Sequence, residues 1–144
     1  MQPIRVGLNS TALLSPLTGI GQYNKSLAEA LVASGEVDLW LCTDDEMQEL
    51  NRRHRGLNEP TDVLSFPQYA PGERPVPGLP AALGDVVISV DTAARQAAAR
   101  SVTPATEVVW LYLHSLLHLV GYDDDTHSGL ATMVAKAEAV LRAA

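Results

Sequence analysis

The sequence predicts a single small domain that mixes β-strands with α-helices. Three observations carry this. The chain has 144 residues, enough for one sizeable core. Hydrophobic residues make up 47% of it and charged residues only 19%, a balance that a disordered chain does not have. Four short stretches read as strands and five longer ones as helices, from apolar spacing, capping residues and bracketing prolines. No repeat or linker-like stretch divides them, so one domain spanning residues 1–144 is the economical reading.

In chain order, Ile4, Val6 and Leu8 alternate with polar or small residues and read as a strand. Ile20, Tyr23, Leu27 and Leu31 then recur at helical spacing, with Thr18 as cap and Gly35 as stop. Gly19 and Gly21 resemble the start of a dinucleotide fingerprint, but the third glycine is missing and no phosphate-loop lysine follows; they belong to the start of that helix. Val37, Leu39 and Leu41 form a second strand. Thr43 to Glu46 is a capping-box pattern, and the helix after it turns Met47 and Leu50 inward. It ends in Asn51-Arg52-Arg53-His54-Arg55-Gly56, the densest basic run of the chain. Cations late in a helix favour its dipole by a few tenths to about 1 kcal/mol each, which would by itself account for the run.

Pro60–Pro67 reads as a strand bracketed by prolines, which lack a ladder donor and point to a sheet edge. Gln68–Ala82, with four prolines and two glycines, is expected to be a long loop. Leu83–Val90 is a further strand, and Asp91 or Thr92 should cap an alanine-rich helix through Arg100. Thr103-Pro104 opens the next helix, with proline at its favoured first position. A last helix begins near Thr126, with Leu130, Met133, Val134, Ala137 and Leu141 as its apolar stripe.

Composition narrows the function. A net charge of −7 does not suit a general nucleic-acid binder, so any such role needs a local basic patch. The one cysteine, Cys42, excludes an internal disulfide and fits a reducing compartment; its strand-like surroundings suggest a buried thiol. The first residues lack the charged-then-apolar pattern of a signal peptide, and the longest apolar run, near Val108–Val120, is too short to span a bilayer. A cytoplasmic protein without a membrane partner is expected.

The chemistry is concentrated in Val108–His127, VVWLYLHSLLHLVGYDDDTH. His114 and His118 are four residues apart, which on a helix puts both imidazoles on one face, about 6 Å apart along the axis. Such a pair is a common start for a zinc site. The next turn of a straight helix carries its side chain away, so a third ligand must come from elsewhere. Gly121 can end the helix, and a side chain of Tyr122–His127 can then reach back to the ion. Three protein ligands would leave a fourth position for water, the catalytic arrangement. One histidine on an apolar helix is more often a core residue with a hydrogen-bond partner; the second histidine, the helix break and the acidic turn favour the metal. Zinc proteases of the His-Glu-x-x-His type carry a general base directly after the first histidine, where this chain has Ser115.

Three segments together resemble the YbeY family of metal-dependent endoribonucleases. Leu50–Pro67, LNRRHRGLNEPTDVLSFP, is similar to that family's LN, then an arginine and glycine, then PTDVLSFP. Leu83–Ser89, LGDVVIS, resembles its LGDI-x-IS, and His114–Asp124, HSLLHLVGYDD, its HGxLHLxGYDH. The order and spacing agree over most of the chain after Leu39; the first 35 or so residues add little. The resemblance implies an α+β domain with a central mixed β-sheet flanked by helices, and a metal-site helix of zincin-like type. It implies one zinc-like ion on three side chains, and a single-strand-specific endoribonuclease acting in ribosomal RNA maturation, at the 16S 3′ end, and in ribosome quality control. The partners so implied are single-stranded rRNA and the ribosome or its proteins.

Carried across, the metal ligands fall on His114 and His118, and the family's functionally important arginine falls on Arg55, with Arg52 and Arg53 as helpers. Two positions depart from the pattern. Ser115 replaces a glycine, and Asp124 replaces the third histidine. Aspartate is a legitimate zinc ligand that shifts preference toward manganese or magnesium. Asp124 holds the motif position and His127 is its rival. Asp85 reads as a structural strand-end residue at least as readily as a catalytic one, and Tyr122 and Asp123 as turn residues around the ligands. Two other readings remain: a metal-dependent hydrolase of another substrate class, and a non-catalytic ribosome-associated factor with a structural metal.

Overall fold

A computed structural model of the chain describes residues 4–9, 35–70, 73, 81–119 and 125–143. The helix expected at 18–31, most of the proline-rich stretch and the turn at 120–124 lie outside the described residues. The described elements are β1 (Ile4–Asn9), β2 (Gly35–Cys42), α1 (Asp44–Arg55), β3 (Val63–Pro67), β4 (Ala81–Ser89), α2 (Val90–Arg100), α3 (Pro104–Leu119) and α4 (His127–Ala143).

The strands form one mixed sheet in the order β1-β2-β4-β3. The central pair β2/β4 is parallel, with Leu39 beside Val86 and Cys42 beside Ser89. β1 and β3 flank this pair, each antiparallel to its neighbour. The α+β architecture expected of the chain is therefore present, and the proline-bracketed strand β3 is at an edge. β4 begins at Ala81, two residues before the expected start. Its register against β2 shifts there: Glu36 faces Ala82 and Val37 faces Gly84, leaving Leu83 as the extra residue of a bulge.

Alternation sorts the strand residues onto two faces. Val37, Leu39, Val86 and Ile88 are buried with Leu111, Leu113, Leu116, Leu117 and Leu119 of α3. Cys42, Leu64 and Val87 are buried with Met47 of α1, with Trp40, Leu50 and Phe66 packed around them. The sheet thus separates α1 from α3. The core is mostly aliphatic, as 5% aromatic content implies. Burial raises the thiol of Cys42 to about 11, helped by Glu46, Asp44 and Asp91, so it is a packing residue and not a nucleophile. Leu130 departs from its expected place in the apolar stripe of α4 and is exposed.

The helix starts follow local chemistry. Thr43 and Glu46 form the reciprocal capping box, and Gly56 closes α1 in the left-handed conformation at φ 72°. Thr103 and Thr126 each accept a backbone N–H two or three residues into α3 and α4. The cap of α2 is Ser89, not Asp91 or Thr92. β4 passes directly into α2 without a loop, so its last residue also serves as the cap.

That junction is tied to α1. The Asp44 carboxylate accepts hydrogen bonds from the Ser89 and Thr92 hydroxyls at 2.7 and 2.6 Å and pairs with Arg95 at 2.7 Å. Asp91 accepts the backbone N–H of Asp44 at 2.8 Å. The hydrogen bonds from Thr92, then Ser89 and Arg95, hold Asp44 down to about 2 from the ordinary 3.8. A depressed carboxylate stabilises the fold above its unfolded-state pKa, and that stabilisation is lost as pH falls through the folded value. Because the group is partly open to solvent, its contribution is about 1 kcal/mol. Asp44→Asn should therefore lower the urea midpoint at pH 7, and the gap to wild type should close between about pH 4 and 2. A constant gap across that window would contradict the assignment.

Candidate functional site

The histidine helix, α3, is apolar around much of its circumference in its second half. Leu111, Tyr112, Leu113, Leu116, Leu117 and Leu119 are all buried. Buried on nearly every side, this part of the helix is held by its contacts with the sheet, and His114 and His118 share one face of it. His114 is almost fully buried and His118 is half-buried. Their Nε2 atoms converge to 3.2 Å, with the rings at 83° to one another.

That separation tests the metal reading. Two imidazoles bound to a tetrahedral zinc ion at about 2.0–2.1 Å have their nitrogens roughly 3.3–3.4 Å apart. The pair observed is within about 0.2 Å of that spacing, a separation that equally suits a hydrogen bond between the two rings. Two neutral imidazoles are borderline-soft donors that suit zinc. Among the described residues, no group of three potential ligands gathers at one point. Asp124 lies outside the described residues. His127 is the exposed first residue of α4, a helix that packs against α3.

The C-terminal end of α3 is seated by Gly84. This glycine has φ 145°, and a Cβ built on it would lie 2.2 Å from the carbonyl oxygen of Phe66 and 3.0 Å from Cδ2 of Leu119. Leu119 follows His118 directly, so the glycine of the LGD segment lets the histidine helix settle onto β3 and β4. The neighbouring Asp85 accepts a 3.3 Å hydrogen bond from the Trp40 indole and pairs in register with Phe66. Those residues belong to the α1 side of the sheet, away from the histidines.

Arg55 is the last residue of α1 and is exposed. The preceding His54 meets the Phe66 ring edge-on at 4.7 Å. The ends of α1 and α3 thus reach the same stretch of β3, Phe66–Pro67, from opposite faces of the sheet. Arg52 and Arg53 are placed differently from Arg55. Both pair with the carboxylate of Glu49, Arg52 through two nitrogens at 2.9 and 2.8 Å and Arg53 at 2.7 Å. Hydrogen bonds from both guanidiniums hold Glu49 down to about 2. No ion pair joins Arg55 to any carboxylate among the described residues.

Other motif residues act as scaffold. Asn51, fully buried, donates through Nδ2 to the backbone carbonyl of Glu59 at 2.8 Å and fixes the turn that follows Arg55. Asp62 accepts the backbone N–H of Val63 and the side-chain amide of Gln96, and its own carbonyl accepts the N–H of Ser89. It thereby anchors the start of the edge strand to β4 and α2.

Sequence reasoning missed the residues behind His114. Trp110 stacks on the His114 ring, with centroids 5.3 Å apart and planes 15° from parallel. Arg100 lies over the Trp110 ring at 4.9 Å and bonds both oxygens of the buried Glu107. The signal was available in helical spacing: Glu107, Trp110, His114 and His118 follow steps of three, four and four along one face.

A family model described as Endoribonuclease YbeY matches residues 16–144. The Endoribonuclease YbeY of Moorella thermoacetica is 44% identical over 133 residues, which cover 90% of this chain and 85% of that protein. That of Synechococcus sp. is 37% identical over 126 residues, covering 87% and 79% respectively. Among solved structures, the solution structure of TM1509 from Thermotoga maritima matches 92% of this chain and 83% of that one, with a TM-score of 0.54 at 24% identity. This last likeness is one of fold.

Proposed function

We propose a function on one premise: the chain belongs to the endoribonuclease YbeY family. It is a metal-dependent endoribonuclease that cleaves single-stranded RNA, with His114 and His118 holding one divalent cation. The observation that carries this reading is the 3.2 Å convergence of the two Nε2 atoms. Asp124 completes the set from the motif position, with His127 as its rival; zinc is the ion of choice for the imidazole pair, and an aspartate third ligand keeps manganese and magnesium open. Bound there, a divalent ion supplies Lewis acidity toward water or a phosphoryl oxygen.

The chain's own residues do the rest. The leucines of α3 and the Gly84 seat hold the helix in place, so both histidines leave it toward the same side and less reorganisation is left for the reaction itself. Arg55 presents a planar guanidinium at the end of α1, suited to gripping a phosphodiester through two parallel hydrogen bonds. Asn51 and Gly56 set the backbone on either side of it. Arg52 and Arg53 share the one carboxylate of Glu49, which offsets half of their charge and leaves the cluster a single net positive charge beside Arg55. With a net charge of −7, the chain relies on a local contact and not on general attraction. This fits a factor that meets its RNA on the ribosome during maturation of the 16S 3′ end, in the cytoplasm. No helix among the described residues is long and apolar enough to cross a membrane.

The test uses a single-stranded RNA oligonucleotide and protein loaded with a stoichiometric divalent ion. Arg55→Glu should slow cleavage about 100-fold, the loss typical of one charge-stabilising donor. Metal content and thermal midpoint should stay at wild-type values. An unchanged rate would remove Arg55 from the reaction, and cleavage that survives exhaustive chelation would overturn metal dependence.

A further inference from the structure

We propose that Trp110 is a positioning residue for the metal pair, fixing the plane of the His114 imidazole through ring stacking and being itself held by Arg100. The inference rests on the reading of His114 and His118 as ligands. It starts at the far end of the column. Glu107 is 2% exposed, and a buried carboxylate is tolerated only when paired. Arg100 supplies the pair, placing one nitrogen 3.1 and 2.9 Å from the two carboxylate oxygens. With its guanidinium anchored, Arg100 lies over the Trp110 ring, a favourable cation–π arrangement. Trp110 then lies nearly parallel to His114, which faces His118 edge-on.

The torsion that turns an imidazole about its own bond is broad and roughly two-fold. Left alone, the His114 ring could swing its Nε2 away from His118. A flat indole 15° from parallel restricts the tilt of the ring plane, and within that plane the 3.2 Å contact with His118 selects the orientation that presents Nε2 to the second nitrogen. Ligating histidines are usually oriented by a partner to the other ring nitrogen; the aromatic plane of Trp110 adds a restraint of its own through packing. A second observation supports the assignment. A buried tryptophan N–H normally finds an acceptor, yet the Trp110 Nε1 has none among the described residues. Among the described residues, the ring is held by its faces, between Arg100 and His114.

Zinc affinity, measured by competition with a chromophoric chelator, tests this in Trp110→Leu and Trp110→Phe, each checked for native circular dichroism. Leucine should weaken affinity about tenfold or more, the usual effect of losing an orienting partner, and phenylalanine should restore most of it. Wild-type affinity in the leucine variant would overturn the proposal. Absence of zinc binding by wild-type protein would instead overturn the ligand reading on which it stands. Should the leucine variant fail to fold, Trp40→Phe leaves Trp110 as the sole tryptophan of the two in the chain. Its emission should then change on adding zinc, and an emission that ignores zinc would equally defeat the proposal.

Discussion

Replacing His114 and His118 together by alanine should weaken zinc binding by more than about 100-fold and abolish RNA cleavage. The size follows from what is removed. Loss of an outer partner alone costs roughly 10–100-fold in metal affinity, and both imidazoles are direct donors in the proposed site. The fold should survive, because α3 is held by Leu111, Leu113, Leu116 and Leu117 and not by the histidines. Far-UV circular dichroism should therefore be unchanged while metal analysis of the purified protein falls to background. Full metal retention by the double variant would end the reading of this pair as a metal centre, whatever the cleavage assay showed.

The second large effect belongs to Gly84→Ala. The added methyl would sit 2.2 Å from the Phe66 carbonyl oxygen and 3.0 Å from Cα of Pro67, both backbone atoms of the paired edge strand. A flexible side chain could step aside; a strand in register cannot do so without breaking its pairing to β4. The φ of 145° adds a conformational cost that only glycine escapes. Strain of about 1–3 kcal/mol and overpacking of a similar size make about 3 kcal/mol or more. That is a large share of the roughly 5–15 kcal/mol that holds a domain of this kind together. The urea midpoint should drop sharply, and zinc affinity should fall with it, since Leu119 beside His118 shares the crowded space. An alanine variant with a wild-type midpoint would show that the close approach is not required.

What could be read in advance was local. The His-x-x-x-His spacing, the capping box at Thr43 and Glu46, the glycine stop at Gly56 and the prolines that force β3 to an edge each act within a few residues, where spacing predicts geometry. What could not be read was long-range. Nothing in PTD announces that Asp62 will bind Gln96, 34 residues on, nor in LGD that Gly84 will meet Leu119. Ser89 was missed as a cap because a strand passing straight into a helix leaves no loop to mark the join. The capture of Arg52 and Arg53 by Glu49 was readable, since three- and four-residue spacings pair on a helix, but the run drew the eye as a block of positive charge. Resemblance in these motifs thus reports scaffold as much as chemistry: Asn51 and Asp62 lie within matched segments and serve backbone geometry.

The junction at Asp44 has a further consequence for where a substrate can lie. Two adjacent parallel strands each feed a helix at their carboxyl ends, and in open α/β sheets such a crevice commonly receives a nucleotide's phosphate. Here the spot is taken by the protein's own acids, Asp44 and Asp91, which draw on the donors a visiting anion would need. A polyanion approaching that rim meets negative charge and hydroxyls already engaged. Among the described residues, the opposite end of β4 carries no such acidic junction; there Gly84 seats the histidine helix, and Arg55 ends α1 beyond the edge strand, which is where the proposed reading puts RNA.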